Sequence, residues 1–92
     1  MITATIRDNG FRIEGHANYA PSGQDIVCAG VSALTGAIMA TLNGKIVEKG
    51  DGLIDCMLDD TPALDGCLAM LCAGLLNIQQ QYPKHVRVVS DE

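Results

Sequence analysis

The spacing of apolar and polar positions changes along this chain, and the changes mark its elements. Residues 2–7 (Ile-Thr-Ala-Thr-Ile-Arg) are rich in β-branched side chains and predict a strand. Asp8-Asn9-Gly10 follows, and Asn-Gly is a hairpin signal. Residues 11–15 (Phe-Arg-Ile-Glu-Gly) alternate apolar and polar, the pattern of a half-buried strand that pairs with the first. Residues 17–24 gather Asn, Pro, Ser and Gly and read as a loop. Asp25 stands just before a long apolar stretch, where it can cap a helix running to about Leu42, with Asn43-Gly44 as the stop. Lys49-Gly50-Asp51-Gly52 reads as a turn, and residues 53–58 as a mostly buried strand. Thr61-Pro62 predicts a cap followed by proline at the first helical position. Leu64, Leu68, Leu71, Leu75 and Ile78 then recur at helical spacing to about Gln81, and Pro83 prevents continuation. Residues 85–89 predict a last strand. The order β-β-α-β-α-β predicts an α+β, two-layer fold: a four-stranded, mainly antiparallel sheet with two helices packed on it.

Length and composition narrow this picture without changing it. With 92 residues and no repeat, linker or low-complexity tract, the chain is expected to form one domain over residues 1–92. Its stability is expected to be roughly 5–14 kcal/mol. Hydrophobic residues make up 48% and charged residues 18%, which suits a globule rather than a disordered chain. The two apolar helical segments are large for so small a domain, so a homodimer is expected. Ser32, Thr35, Gly36 and Thr41 interrupt the first segment and Asp65 and Gly66 the second, so neither reads as membrane-spanning. Residues 1–5 show no basic region leading into an apolar stretch, so a cytoplasmic setting with reduced thiols is expected. The net charge of −5 comes with no basic patch, and no nucleic-acid role is assigned. Asp59-Asp60 reads as a solvated turn.

Four cysteines raise the question of metal or disulfide, and their spacing supports neither. There is no Cys-x-x-Cys, and Cys67 and Cys72 are five apart on a helix, where they point in different directions. Cys56, Cys67 and Cys72 therefore read as core or interface residues, and no metal site or cofactor is assigned. Cys28 differs in its position. With Asp25 as the cap it is the third residue of the helix, where free N–H groups and the helix dipole favour an anion, and the thiolate is the nucleophilic form; the alternative, and on position alone the commoner one, is a packing residue. His16 ends the second strand and opens the loop to Cys28, so it can come within reach of the sulfur as a general base. The alternative for His16 is a surface residue at a strand edge, and the chain alone weights the two equally. His85 is read as a surface residue.

Gly15-His16-Ala17, the short loop, and Asp25-Ile26-Val27-Cys28-Ala29-Gly30-Val31-Ser32 together resemble the signature of the ribosomal-processing cysteine protease family, Prp. The order of elements matches over nearly the whole chain. The resemblance implies a bacterial endopeptidase that removes a short N-terminal extension from a large-subunit ribosomal protein, cutting after an aromatic pair and before a small residue. It also implies a homodimer, a loop that orders around the substrate, His16 as catalytic base and Cys28 as nucleophile. On that footing Asp25 is read as a cap, with orientation of His16 as the alternative. Ser32 lies one turn after Cys28 on the same helix face, and either steadies the sulfur or substrate or bonds back to the Cys28 carbonyl. Gly15 lets a substrate backbone approach, Gly23 gives the loop freedom, and Tyr19 offers a flat apolar contact. Backbone N–H groups at the helix start could stabilise the tetrahedral oxyanion, and the sequence assigns no particular donor. Two other functions compete: a non-enzymatic homodimeric module that binds a ribosomal or assembly partner, and a thiol redox sensor, which the lack of a resolving cysteine disfavours.

Overall fold

The computed structural model describes residues 1–21 and 23–90; Ser22, within the loop 17–24, lies outside them. The elements are β1 (Ile2–Arg7), β2 (Gly10–Glu14), α1 (Ile26–Thr41), β3 (Lys45–Gly50), β4 (Leu53–Met57), α2 (Leu64–Gln81) and β5 (Val86–Ser90). They form an α+β fold with a sheet ordered β3-β4-β2-β1-β5. The sheet has five strands rather than the expected four and is mixed: β5 runs parallel to β1, and the other three pairings are antiparallel.

The additional strand is β3, and its residues are exposed throughout. It is an edge strand with no apolar face to bury, so it lacks the alternation that identifies a strand in sequence. Lys45, Glu48 and Lys49, with a bulge between Ile46 and Glu48, blunt this edge against pairing with other chains.

The hairpin between β1 and β2 has Arg7 opposite Gly10, with Asp8 and Asn9 as its tip. A side chain at Gly10 would run into the Cys56 carbonyl, so the tight approach of β4 demands glycine there. At the other end of α1, Asn43 takes φ +53 and Gly44 N–H donates to the Met39 carbonyl at 2.8 Å. This is the Schellman closure that the Asn-Gly stop foretells. α2 starts later than the Thr61-Pro62 reading predicts. Ala63 stands in the cap position without a side-chain hydrogen bond, while Leu64 N–H donates to the Thr61 carbonyl at 3.0 Å. Thr61-Pro62 is thus a turn leading into the helix, and Asp65 in the first turn complements the dipole.

The core lies between one face of the sheet and the helices. Ile2, Ala4, Phe11, Ile13, Cys56 and Val86 face Val27, Val31 and Ile38 of α1 and Leu64, Leu68, Leu71 and Leu75 of α2. On the opposite face, Asp55 is only 6% exposed. It accepts hydrogen bonds from Arg7 at 2.9 Å and Arg12 at 3.0 Å. Burial opposes its charge, but the bonds from Arg12 and Arg7 outweigh this and hold the carboxyl below the usual range. The unfolded chain therefore takes up the proton first as pH falls, so this contribution to stability is present above about pH 4 and is lost below it. Asp55→Asn is expected to cost about 2–4 kcal/mol near neutral pH, with the deficit shrinking toward about pH 3, in urea unfolding at both. An equal deficit at the two pH values would refute a charge-based origin.

Candidate active site

β2 delivers the chain into a glycine whose geometry sets up the histidine. Gly15 has φ +90, and a side chain there would collide with the Met1 carbonyl. Its N–H donates to the Gly52 carbonyl at 2.7 Å, and the Met1 amino group donates to the His16 carbonyl at 2.7 Å. The His16 backbone is thus held from two sides. Its imidazole is half exposed, lies against the Cα of Gly52, and has Nε2 3.4 Å from Asp51 Oδ1.

Across the site, Asp25 caps α1. Its Oδ1 accepts the N–H groups of Val27 and Cys28, both at 3.0 Å, and its Oδ2 accepts those of Tyr19 at 3.0 Å and Ala20 at 3.4 Å. One carboxylate therefore joins the first half of the loop to the start of the helix. The Cys28 N–H bond is the main reason the carboxyl sits below its usual range; burial works against it, and the other three N–H groups add to it. All these partners are main-chain groups, and the carboxylate beside His16 is that of Asp51, not Asp25. The N–H groups of Val27 and Cys28 serve this cap, and that of Ala29 donates to the Asp25 carbonyl at 3.0 Å. In this structure these three first-turn groups are engaged with Asp25.

Cys28 is half-buried and packs at the margin of the core. Two hollows meet beside it. The larger, about 580 Å³, is bounded by Asn18, Gly23, Gln24 and Asp25. The smaller, about 270 Å³, has an apolar wall of Ile2, Ile13, Val31, Leu53 and Ile54, with Gly15 and Gly52 at its rim. His16, Cys28 and Ser32 line both. Among the described residues, the Ser32 hydroxyl makes no hydrogen bond, so it is not tied back to the Cys28 carbonyl. The other cysteines sit apart from this junction. Cys56 is fully buried, and burial, then the Asp55 charge, push its thiol up, which keeps it protonated. Cys67 and Cys72 are half-buried, and all four cysteines are free.

Tyr19 lines neither hollow. Its ring stands edge-on to Tyr82 at 5.2 Å and to His85 at 5.4 Å. His85 is not the surface residue its sequence context predicts. It is half-buried, and its Nδ1 donates to the Ala17 carbonyl at 2.8 Å. The loop folds back over the start of β5, a contact between residues 68 apart that no local pattern announces. Sequence reasoning also missed Asp51 and Gly52 as neighbours of His16. The available signal was the turn they occupy, which becomes informative only once β3 is recognised. Among the described residues, no three His, Cys, Asp or Glu side chains gather into a metal-ligand group, and no helix is long and apolar enough to cross a membrane.

A family model described as cysteine protease Prp matches residues 1–87. The chain is 53% identical over 56 residues to the ribosomal processing cysteine protease Prp of Bacillus subtilis, a match spanning 54% of this chain and 47% of that protein. It is 30% identical over 97 residues to the Mycoplasma genitalium protein of the same name, spanning 100% of this chain and 97% of that protein. Its fold is similar, with TM-score 0.85 and 24% identity, to the essential ribosomal processing protease Prp from S. aureus in complex with a covalently linked product peptide, covering 99% and 100% of the two chains. The same protease in complex with a substrate peptide gives TM-score 0.74 at 25% identity, with the same coverage.

Proposed function

We propose, starting from the fact that this chain belongs to the cysteine protease Prp family, that it is a cysteine endopeptidase that uses His16 and Cys28 to remove a short N-terminal extension from a large-subunit ribosomal protein. The observation that carries this reading is the junction itself. An imidazole leaving β2 and a sulfur in the first turn of α1 line the same two hollows, the larger of about 580 Å³.

The chemistry follows from those positions. His16 takes the Cys28 thiol proton, and the sulfur attacks the scissile carbonyl carbon. As the tetrahedral intermediate collapses, the C–N bond breaks and the imidazolium gives its proton to the leaving amine. Water, deprotonated by His16, then attacks the thioester, releasing the acid and returning the proton to sulfur. The α1 dipole favours the anionic sulfur. Asn18, Gln24 and Ser32 carry side-chain donors that line the larger hollow and can serve the oxyanion. Support for a ribosomal-protein substrate comes from the names of the Bacillus and Mycoplasma relatives and from the peptides bound to the S. aureus protease. A homodimer belongs to the same reading, supported by the exposed apolar side chains Ile46 and Val47 on β3 and Met70 and Leu76 on α2.

Mass spectrometry of a peptide spanning such an extension tests the proposal. Wild type is expected to yield two fragments, and Cys28→Ala and Cys28→Ser none. Binding by all three without cleavage would replace the protease with a binding module. Reversible loss of the Cys28 thiol under peroxide, without cleavage, would favour a redox sensor.

A further inference from the structure

The β3–β4 turn touches His16 in three ways that the His-Cys pairing leaves unused. The Gly52 carbonyl accepts the Gly15 N–H at 2.7 Å, which fixes the residue before the histidine. The imidazole lies on the bare Cα of Gly52, where a Cβ would come within 2.7 Å of Nε2, 3.1 Å of Cδ2 and 3.2 Å of Cε1. Asp51 Oδ1 stands 3.4 Å from Nε2, an ion-pair distance. Backbone, ring face and ring edge are thus all held by two consecutive residues of a turn about 35 positions along the chain from the histidine. Cys28 and Asp25 from the start of α1 line the same larger hollow as His16, and the Met1 amino group donates to its carbonyl.

Resting on the protease reading above, we infer that Asp51 and Gly52 are positioning residues for the reaction: Gly52 is the floor that sets the plane of the imidazole, and Asp51 favours the imidazolium that forms when Cys28 gives up its proton. The two act through different physics. Gly52 acts by shape. Gly52 has φ +67, so a methyl group there strains the turn as well as meeting the far end of an exposed side chain, and the ring swings away from it. A misplaced catalytic group of this kind costs about 100-fold in rate. Asp51 acts by charge. Its side chain is 98% exposed, so its effect is small and screened by salt.

Steady-state cleavage by the full chain separates these effects from a structural one. Gly52→Ala is expected to lower kcat by about 100-fold with KM within about twofold. Proton NMR is expected to show loss of the contact between the His16 ring and residue 52. Asp51→Asn is expected to lower kcat by about two- to fivefold at low salt, with the difference vanishing near 1 M salt and recovered by Asp51→Glu. Gly50→Ala, in the same hairpin with open space around it, is expected to match wild type. A rise in KM with kcat unchanged in Gly52→Ala would overturn the inference, because it means the methyl fills the smaller hollow instead of moving the ring. An Asp51→Asn enzyme equal to wild type at low salt would overturn the role of the carboxylate. If wild type cleaves no peptide, the protease reading fails, and the NMR contact still decides whether Gly52 holds the ring.

Discussion

His16→Ala lowers kcat/KM for peptide cleavage by about a thousandfold or more, and adding Cys28→Ala to it costs little further. This is the expected result for two side chains that act as one unit. On the proposed mechanism, without the imidazole no group takes the thiol proton and the leaving amine receives none. Without the sulfur, the imidazole has no nucleophile to activate. Losses within such a unit do not add, since either change removes the same step and leaves only what binding and oxyanion donors supply. Ordinary independent contributions would multiply. The measurement is a double-mutant cycle on kcat/KM, with urea unfolding of each variant alongside. His16 is half exposed and Cys28 half-buried at the margin of the core, so each single change is expected to leave stability within about 1 kcal/mol. Multiplying losses would mean that the two residues do not work on one step. A His16→Ala variant with near wild-type turnover would remove the histidine from the mechanism altogether.

The parts of this site legible in the sequence are those joined by a short segment. His16 and Cys28 are twelve positions apart, with a strand end on one side and a capped helix on the other, so their approach follows from local signals. Asp25 was legible for the same reason, because a capping carboxylate answers to the N–H groups two and three residues on. What stayed hidden comes from elsewhere in the chain. Asp51 and Gly52 reach His16 only because β3 and β4 place their turn beside the end of β2. β3 itself carries no alternation, since it buries nothing. His85 is drawn inward by a carbonyl on the loop and by Tyr19, groups that its own neighbours in sequence do not mention. The elements that bury a face, such as β2 and α2, were found, though α2 begins at Leu64 rather than at Pro62; β3, an edge strand with every residue wet, was missed.

The buried part of β2 also bears on the site, because this strand carries Gly15 and His16 at its end. Phe11 is wholly buried and is the chain's one phenylalanine. In the sheet it stands between Ile6 of β1 and Cys56 of β4, beneath the leucines of α2 that share its core. Phe11→Ala is therefore expected to cost about 3–5 kcal/mol, from lost transfer energy plus a cavity that flanking strands cannot close. Against a total of roughly 5–14 kcal/mol, that is a large fraction of what holds the domain together. Phe11→Leu keeps most of the volume and is expected to cost less than about 1.5 kcal/mol. Urea unfolding of the three proteins gives both numbers. Two-state m-values that stay equal would show that the native state was weakened rather than rearranged. A Phe11→Ala loss below about 1 kcal/mol would mean that the sheet and helices can collapse onto the gap. The core as described, with Cys56 fully buried and Ile6 partly buried on the adjoining strands, would then be packed more loosely than its burial implies.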